Sequence, residues 1–296
     1  MNRMWILWAL LCSAPAALAG GYYADIDASN PESLRLTLHG VIDDHQRFPY
    51  TSGSTDTWDI LELAEQDAMD PGRIVDVYRN ASYVKIGGGV GVYNREHTWP
   101  NSYGYPNDNA SNYPYTDTHA LMLSNSSYNS SRGNKPFGLC SVSCVEYVTD
   151  LTNGTGGGSG VFPGNSNWAN PTYWQVWQGK RGNVARGLLY LDVRYEGGTH
   201  GSTGVAEPDM RLTDDPGLIQ TSGGQNASVA YMGLLSVLIA WHEADPPDES
   251  EVLRNDVIQS FQGNRNPFID HPEWVGCLHL GECGGGDLIF AWDFEP

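Results

Sequence analysis

The sequence predicts an α+β fold, and three observations point that way. Helical stripes and short strand signals are mixed without the repeating strand-helix-strand order of a parallel α/β sheet. Of 296 residues, 40% are hydrophobic and 17% charged, which supplies a core for one large domain or two ordinary ones. The 35 glycines, 17 prolines, 16 tyrosines and 10 tryptophans describe a loop-rich globular chain rather than a disordered one.

The elements follow in order. Residues 54–58 supply cap residues ahead of Ile60, Leu61, Ala64 and Ala68, a helical stripe that Pro71 and Gly72 should end. Residues 74–78 and 83–86 read as paired strands around residues 80–82, and residues 90–93 as a short strand leading into residue 94. From 101 to 170 the chain favours turns, and 154–160 reads as a flexible glycine-rich segment. Val184, Leu188, Leu191 and Tyr195 repeat at helical spacing until Gly197 and Gly198. Two more helices are predicted. One covers 229–243 and stops at Pro246 and Pro247; the other covers 251–262, with Leu253, Val257, Ile258 and Phe261 inward and Gly263 as its stop.

Residues 1–3, the apolar residues 4–12 and the small residues 17–19 match the basic, hydrophobic and cleavage regions of a secretory signal. Residues 1–19 are therefore expected to be removed and the protein exported, to the periplasm or beyond. No segment reaches the roughly 18 uncharged apolar residues of a membrane span; residues 230–241 come nearest and read as a buried helix. Cleavage would leave Cys140, Cys144, Cys277 and Cys283, an even count for an oxidising compartment. Two disulfides are the natural reading, local pairs suit the spacing among three connectivities, and a four-thiolate zinc site is the alternative.

Two stretches hold candidate chemistry. Glu96 stands beside His97 at the end of a predicted strand, three residues before Pro100. Adjacent strand residues point to opposite faces, so a shared site requires irregular backbone there, with Glu96 on a hard cation and His97 as base. By itself such a pair is weak evidence and more often has a surface or structural role. Asn129 and Arg132 share a face if helical, and an ion held by Glu and Asn oxygens with Arg beside the phosphate is coherent chemistry. The ordinary role of an Asn is a cap or turn.

Taken together, five blocks resemble the endonuclease I family of bacterial secreted and periplasmic nucleases, in order and spacing over about residues 55–275. They are Arg95-Glu96-His97-Thr-Trp-Pro100, Asp117-Thr-His119, Asn129-Ser-Ser-Arg132-Gly-Asn134, Val184 to Arg186 with Tyr190, Arg194 and Tyr195, and Gln262 to His271. The resemblance implies a ββα-metal (His-Me) finger in residues 20–296, read as one nuclease domain with acidic flanks. Glu96 and Asn129 match the family's metal ligands and His97 its general base, taking a proton from the water that attacks phosphorus. Two protein ligands suit Mg2+, which keeps several waters, with Ca2+ or Mn2+ as alternatives. Arg95 and Arg132 are candidate phosphate contacts. The implied substrates are DNA and RNA, held through the backbone without base specificity, and no membrane partner is implied after signal cleavage. The block ending at His271 reads as structural support.

The chain departs from the family pattern in places. Some relatives carry a phosphate-binding arginine between the base and the ligand asparagine, whereas residues 98–128 contain no Arg or Lys, and Ala120 stands where relatives often have Asn. A net charge of -19 also repels polyanions unless bases are concentrated locally. Residues 20–94 hold 12 acids and 5 bases, residues 197–296 hold 16 and 3, and residues 95–196 hold 7 of each. Arg95, Arg132, Lys135, Lys180, Arg181, Arg186 and Arg194 of that neutral middle are thus expected to form the one stretch that tolerates a phosphate backbone. Two rival readings stand beside the nuclease: a secreted glycan-binding or adhesive module, from the aromatic, Asn-rich composition, and a family member that has lost catalysis and keeps Ca2+ for stability.

Overall fold

The computed structural model describes residues 21–88 and 91–284; the signal segment expected from the sequence, with Cys12, lies outside the described residues. Asn30 opens helix α1 (Pro31–Ile42) by accepting from the Ser33 N–H, and Leu34, Leu38 and Ile42 turn one stripe of it to the core. This helix has no counterpart among the elements predicted from sequence. Helix α2 (Thr57–Ala64) starts where the cap signal lies, Asp56 and Asp59 forming a reciprocal capping box. It ends at Ala64 and not near Pro71, because the chain turns there into strand β1 (Gln66–Asp67), which pairs with β2 (Asp70–Val75). Strand β2 pairs in turn with β3 (Ser82–Val84) across a turn whose N–H groups at Tyr78, Arg79 and Ala81 are collected by the Asp76 carboxylate.

Strands β4 (Tyr93–His97) and β5 (Leu121–Asn125) are antiparallel, with Tyr93 opposite Asn125 and His97 opposite Leu121. Asn125 then caps helix α3 (Ser126–Arg132) by accepting from Ser127 and Tyr128 N–H, so strand, long loop, strand and helix form one ββα unit. Beside it lie β6 (Val145–Tyr147), the hairpin of β7 (Leu151–Thr152) and β8 (Thr155–Gly156), then β9 (Asn167–Ala169) and β10 (Trp174–Gln175). Strands β10, β9 and β6 make a three-stranded sheet. Segment 154–160, expected to be flexible, is built into this region. Gly156 has φ +80 and lies so close to Asp150 O and the Asn80 amide that a Cβ would stand 2.3 and 2.6 Å from them; glycine here answers a close approach.

Helix α4 (Arg181–Arg194) is the centre of the molecule, buried at every residue from Gly182 to Arg194. It is followed by β11 (Asp209–Leu212) and β12 (Val229–Met232), a parallel pair, and by α5 (Leu235–Ala244). The helix expected from residue 229 therefore begins six residues later, because pairing with β11 claims the start of an apolar run that periodicity alone cannot assign. Helix α6 (Glu249–Gln262) is capped by Asp248 and stopped by left-handed Gly263, and α7 (Pro267–Asp270) and α8 (Trp274–Leu280) follow. Its inward face is the other unexpected feature. Glu251, Arg254, Asn255, Ile258 and Gln262 are buried, whereas Leu253 is 55% exposed and Val257 and Phe261 are half-buried. Disulfides join Cys140 to Cys144 and Cys277 to Cys283, so all four thiols are taken and no zinc site forms from them. No helix among the described residues is long and apolar enough to cross a membrane.

Three histidines are buried in this framework with their pKa depressed by desolvation, His45 to about 3 and His119 and His242 to about 4. The unfolded chain protonates them near the ordinary value of 6.5, the folded chain only below about 4, so the stability they contribute is full above 6.5 and is lost as pH falls. Glu65 works the other way, since burial raises it to about 7 against the pull of Arg254 and the Leu123 N–H. His97 on the ββα unit, held down to about 4, adds to the histidine side, so the histidines outnumber Glu65 and stability is expected to fall on acidification between roughly pH 6 and 5. Urea midpoints measured in steps across that range check this; a midpoint that stays level or rises on acidification contradicts it.

Candidate active site

The ββα unit exposes its side chains in two sets. By strand alternation Tyr93, Arg95 and His97 leave one face of β4, and Asn94 and Glu96 leave the face covered by α3. The backbone stays regular and paired through His97, against the irregular geometry expected of a shared site, so Glu96 and His97 leave opposite faces and one phosphate would have to reach both around the end of β4.

On the α3 side, Glu96 is 2% exposed. Its Oε1 accepts from the Tyr78 hydroxyl at 2.7 Å and from Arg132 Nη1 at 2.7 Å, while Oε2 has no hydrogen-bond partner among the described residues. Burial raises the Glu96 pKa, and the Arg132 charge and the Tyr78 hydrogen bond counter it. Asn129 Nδ2 donates to Asn94 Oδ1 at 2.7 Å and to Arg95 O at 3.3 Å, which leaves its Oδ1 unpartnered among the described residues. Arg132 also donates to His97 O at 3.0 Å and Thr98 O at 2.6 Å and has no exposed surface. It therefore holds Glu96 and the end of β4 and does not face solvent.

On the other face, His97 Nε2 lies 2.9 Å from Tyr115 O. A carbonyl only accepts, so Nε2 carries the proton and Nδ1 is the bare lone pair. The imidazole stacks on Tyr50 (centroids 5.7 Å apart, planes 19° apart) and meets the edge of Tyr115 at 4.8 Å. Desolvation pushes its pKa down to about 4, with Arg95 and Arg132 adding to the effect and the Tyr115 carbonyl opposing it. Arg95 packs its guanidinium 3.3 Å from the Tyr50 ring centre and 4.3 Å from that of Trp58.

Among the described residues no three His, Cys, Asp or Glu side chains gather as a metal-holding group. The oxygens available on the α3 face are Glu96 Oε2 and Asn129 Oδ1. A carboxylate and an amide oxygen, each with its other polar atom tied down, suit a hard cation that fills its remaining positions with water and substrate.

The sequence pattern of the endonuclease I family matches residues 31–273. The chain belongs to the endonuclease I family. It is 35% identical over 264 residues to an extracellular ribonuclease of Bacillus amyloliquefaciens, covering 88% of this chain and 78% of that protein. To an extracellular ribonuclease of Bacillus subtilis strain 168 it is 34% identical over 266 residues, covering 89% and 80%.

In this endonuclease I chain the remaining sequence blocks meet in one buried polar network. Asp117, fully buried, accepts from the Tyr190 hydroxyl at 2.9 Å, the Tyr195 hydroxyl at 3.0 Å and Gln262 Nε2 at 3.2 Å. His119 Nε2 lies 3.1 Å from Asn264 O, and Asn264 Nδ2 donates to the Tyr190 hydroxyl at 2.7 Å. The network ties the loop that presents the Tyr115 carbonyl to α4 and α6. It also corrects the reading of the neutral middle. Arg132, Arg186 and Arg194 are 0% exposed, Arg186 being spent on Glu251 and Arg194 on Glu207, so three of the seven bases offer nothing to a phosphate backbone. Sequence reading missed Tyr50, Tyr78, Asn94 and Tyr115, which hold the three motif residues; only Asn94, adjacent to the motif, lay where a local signal exists.

Proposed function

We propose that this protein is an exported nuclease that hydrolyses phosphodiester bonds of RNA and DNA, with His97 as general base and a divalent cation on Glu96 and Asn129. The observation that supports it most is the Nε2–H to Tyr115 carbonyl bond, which leaves Nδ1 of a neutral imidazole as the proton acceptor. His97 Nδ1 takes a proton from water as its oxygen attacks phosphorus, and the Tyr115 carbonyl stabilises the imidazolium that forms. Arg132 and Tyr78 favour the charged form of Glu96, and Asn94 turns the Asn129 oxygen outward. A hard divalent cation, Mg2+ by this donor set, supplies stabilisation of the phosphate oxygens and of the leaving 3′ oxygen.

Both relatives named above are ribonucleases, which adds weight to RNA. Their extracellular location, the signal-like residues 1–19 and the two disulfides support export. Backbone contacts without base readout suit such a site.

Incubating the exported, oxidised protein with RNA and with supercoiled plasmid tests the reading. Cleavage is expected with Mg2+ and none with EDTA, and full activity in EDTA would remove the cation from the mechanism. Asn94→Ala, which releases the Asn129 amide, is expected to raise the Mg2+ concentration for half-maximal activity by roughly 10–100-fold. An unchanged Mg2+ requirement would show that Asn94 does not orient an ion-holding Asn129.

A further inference from the structure

We propose that Tyr50 and Arg95 are positioning residues for His97, and that Arg95 acts through the Tyr50 ring and not on the phosphate. The inference rests on His97 as the base. One hydrogen bond, Nε2 to the Tyr115 carbonyl, fixes a point on the imidazole but leaves the ring free to swing about the N–H···O axis, which carries Nδ1 away from any attacking water. The Tyr50 ring removes that freedom, lying within 19° of parallel at 5.7 Å, while the Tyr115 edge at 4.8 Å closes another side.

Tyr50 is in no helix or strand, so something must hold it. Arg95 does so from the same face of β4 as His97. Its Nη1 donates to Tyr50 O and, at 2.7 Å, to Thr57 Oγ1; its Nη2 donates to Thr51 Oγ1 at 3.0 Å; and its plane lies on the Tyr50 ring. Thr57 Oγ1 donates back to Tyr50 O at 3.0 Å, and Arg95 Nε is buried without a partner. Both Nη1 hydrogens and one of Nη2 are thus engaged with residues 50–57 and Nε is buried, so a bidentate phosphate contact has no accessible pair of donors to use. The loop from 50 to 57 is pinned to the strand two residues before the base, and the pin sets the imidazole plane.

Steady-state kinetics on RNA with Mg2+ test this with three variants. Tyr50→Phe keeps the ring and is expected to stay within about twofold of the parent, while Tyr50→Leu and Arg95→Gln lower kcat by about 10–100-fold with KM nearly unchanged. A rise in KM at constant kcat for Arg95→Gln would make Arg95 a phosphate contact and overturn the proposal, as would wild-type kcat in Tyr50→Leu. If Arg95→Gln fails to fold, the two Tyr50 variants decide. A second readout needs no substrate: the ring current of Tyr50 shifts the His97 carbon-bound proton resonances, and the shift should persist in Tyr50→Phe and vanish in Tyr50→Leu. Its absence in the parent overturns the stack. If His97→Ala retains activity, the base assignment fails by itself, and the resonances still report whether the stack exists.

Discussion

Replacing His97 with alanine is expected to lower kcat on RNA and on plasmid by about 10²–10⁴-fold, the usual contribution of a positioned general base. The effect should fall on kcat and leave KM close to the parent, because in the proposed mechanism the imidazole meets the attacking water and not the bound strand. Structure should survive the change. The ring is half-buried and makes a single hydrogen bond to the Tyr115 backbone, so alanine removes no buried charge. Circular dichroism and the urea midpoint check that, and quenched-flow or steady-state cleavage reads the rate. An alanine variant within about tenfold of the parent would assign the proton transfer to another group. The result also separates the nuclease from its two rivals: a glycan-binding or adhesive module keeps its binding without His97, and an inactive family member shows no cleavage to lose.

The largest stability effect belongs to Arg186. Its guanidinium has no exposed surface, donates from Nε to Glu251 Oε1 at 2.8 Å and from Nη1 to Asp245 O at 2.8 Å, and makes a second contact to Glu251 Oε2. Arg186→Ala strands the buried Glu251 carboxylate between α4 and α6, and the expected cost is about 3–5 kcal/mol. The double change Arg186→Met with Glu251→Leu should recover most of it, since an apolar pair of similar volume carries no desolvation penalty. Exposed Arg211, paired with Asp209 two residues away, is the control, and Arg211→Ala should move stability by less than about 0.5 kcal/mol. Urea denaturation of the four proteins measures this. If Arg186→Ala instead kept its stability and raised KM, the arginine would face nucleic acid after all, as the neutral charge balance of residues 95–196 had led one to expect.

The same distinction explains how much of the site was legible beforehand. Glu96, His97, Asn129 and Arg132 lie in two short stretches, and it was the family resemblance of those blocks, beyond residue type and spacing, that singled them out. The residues that complete them were not visible. Tyr50 lies 47 positions from His97, Tyr78 18 from Glu96 and Tyr115 18 from His97. None has a chemical signature that marks it as a support. Arg95 and Arg132 show the limit most clearly: a basic residue beside a motif reads as a phosphate contact, yet one is spent on an aromatic ring and a loop, and the other on a carboxylate and two carbonyls.

The sequence by itself determined what acts over a few residues: the cap signal within 54–58, the stop at Gly263, a strand pair around residues 80–82, four cysteines free to form short-range disulfides and the motif order that names the family. Those signals are local because a cap, a turn or a short disulfide loop is closed by neighbours in the chain. Tertiary structure alone decided that residues 229–232 are a strand and that α6 turns Glu251, Arg254, Asn255 and Gln262 inward with Leu253 in solvent. It also decided that most arginines near the motifs are interior. A buried charge or amide is tolerated only when its partner arrives from elsewhere in the fold, so the inside of this protein is chosen by polar pairing as much as by hydrophobicity.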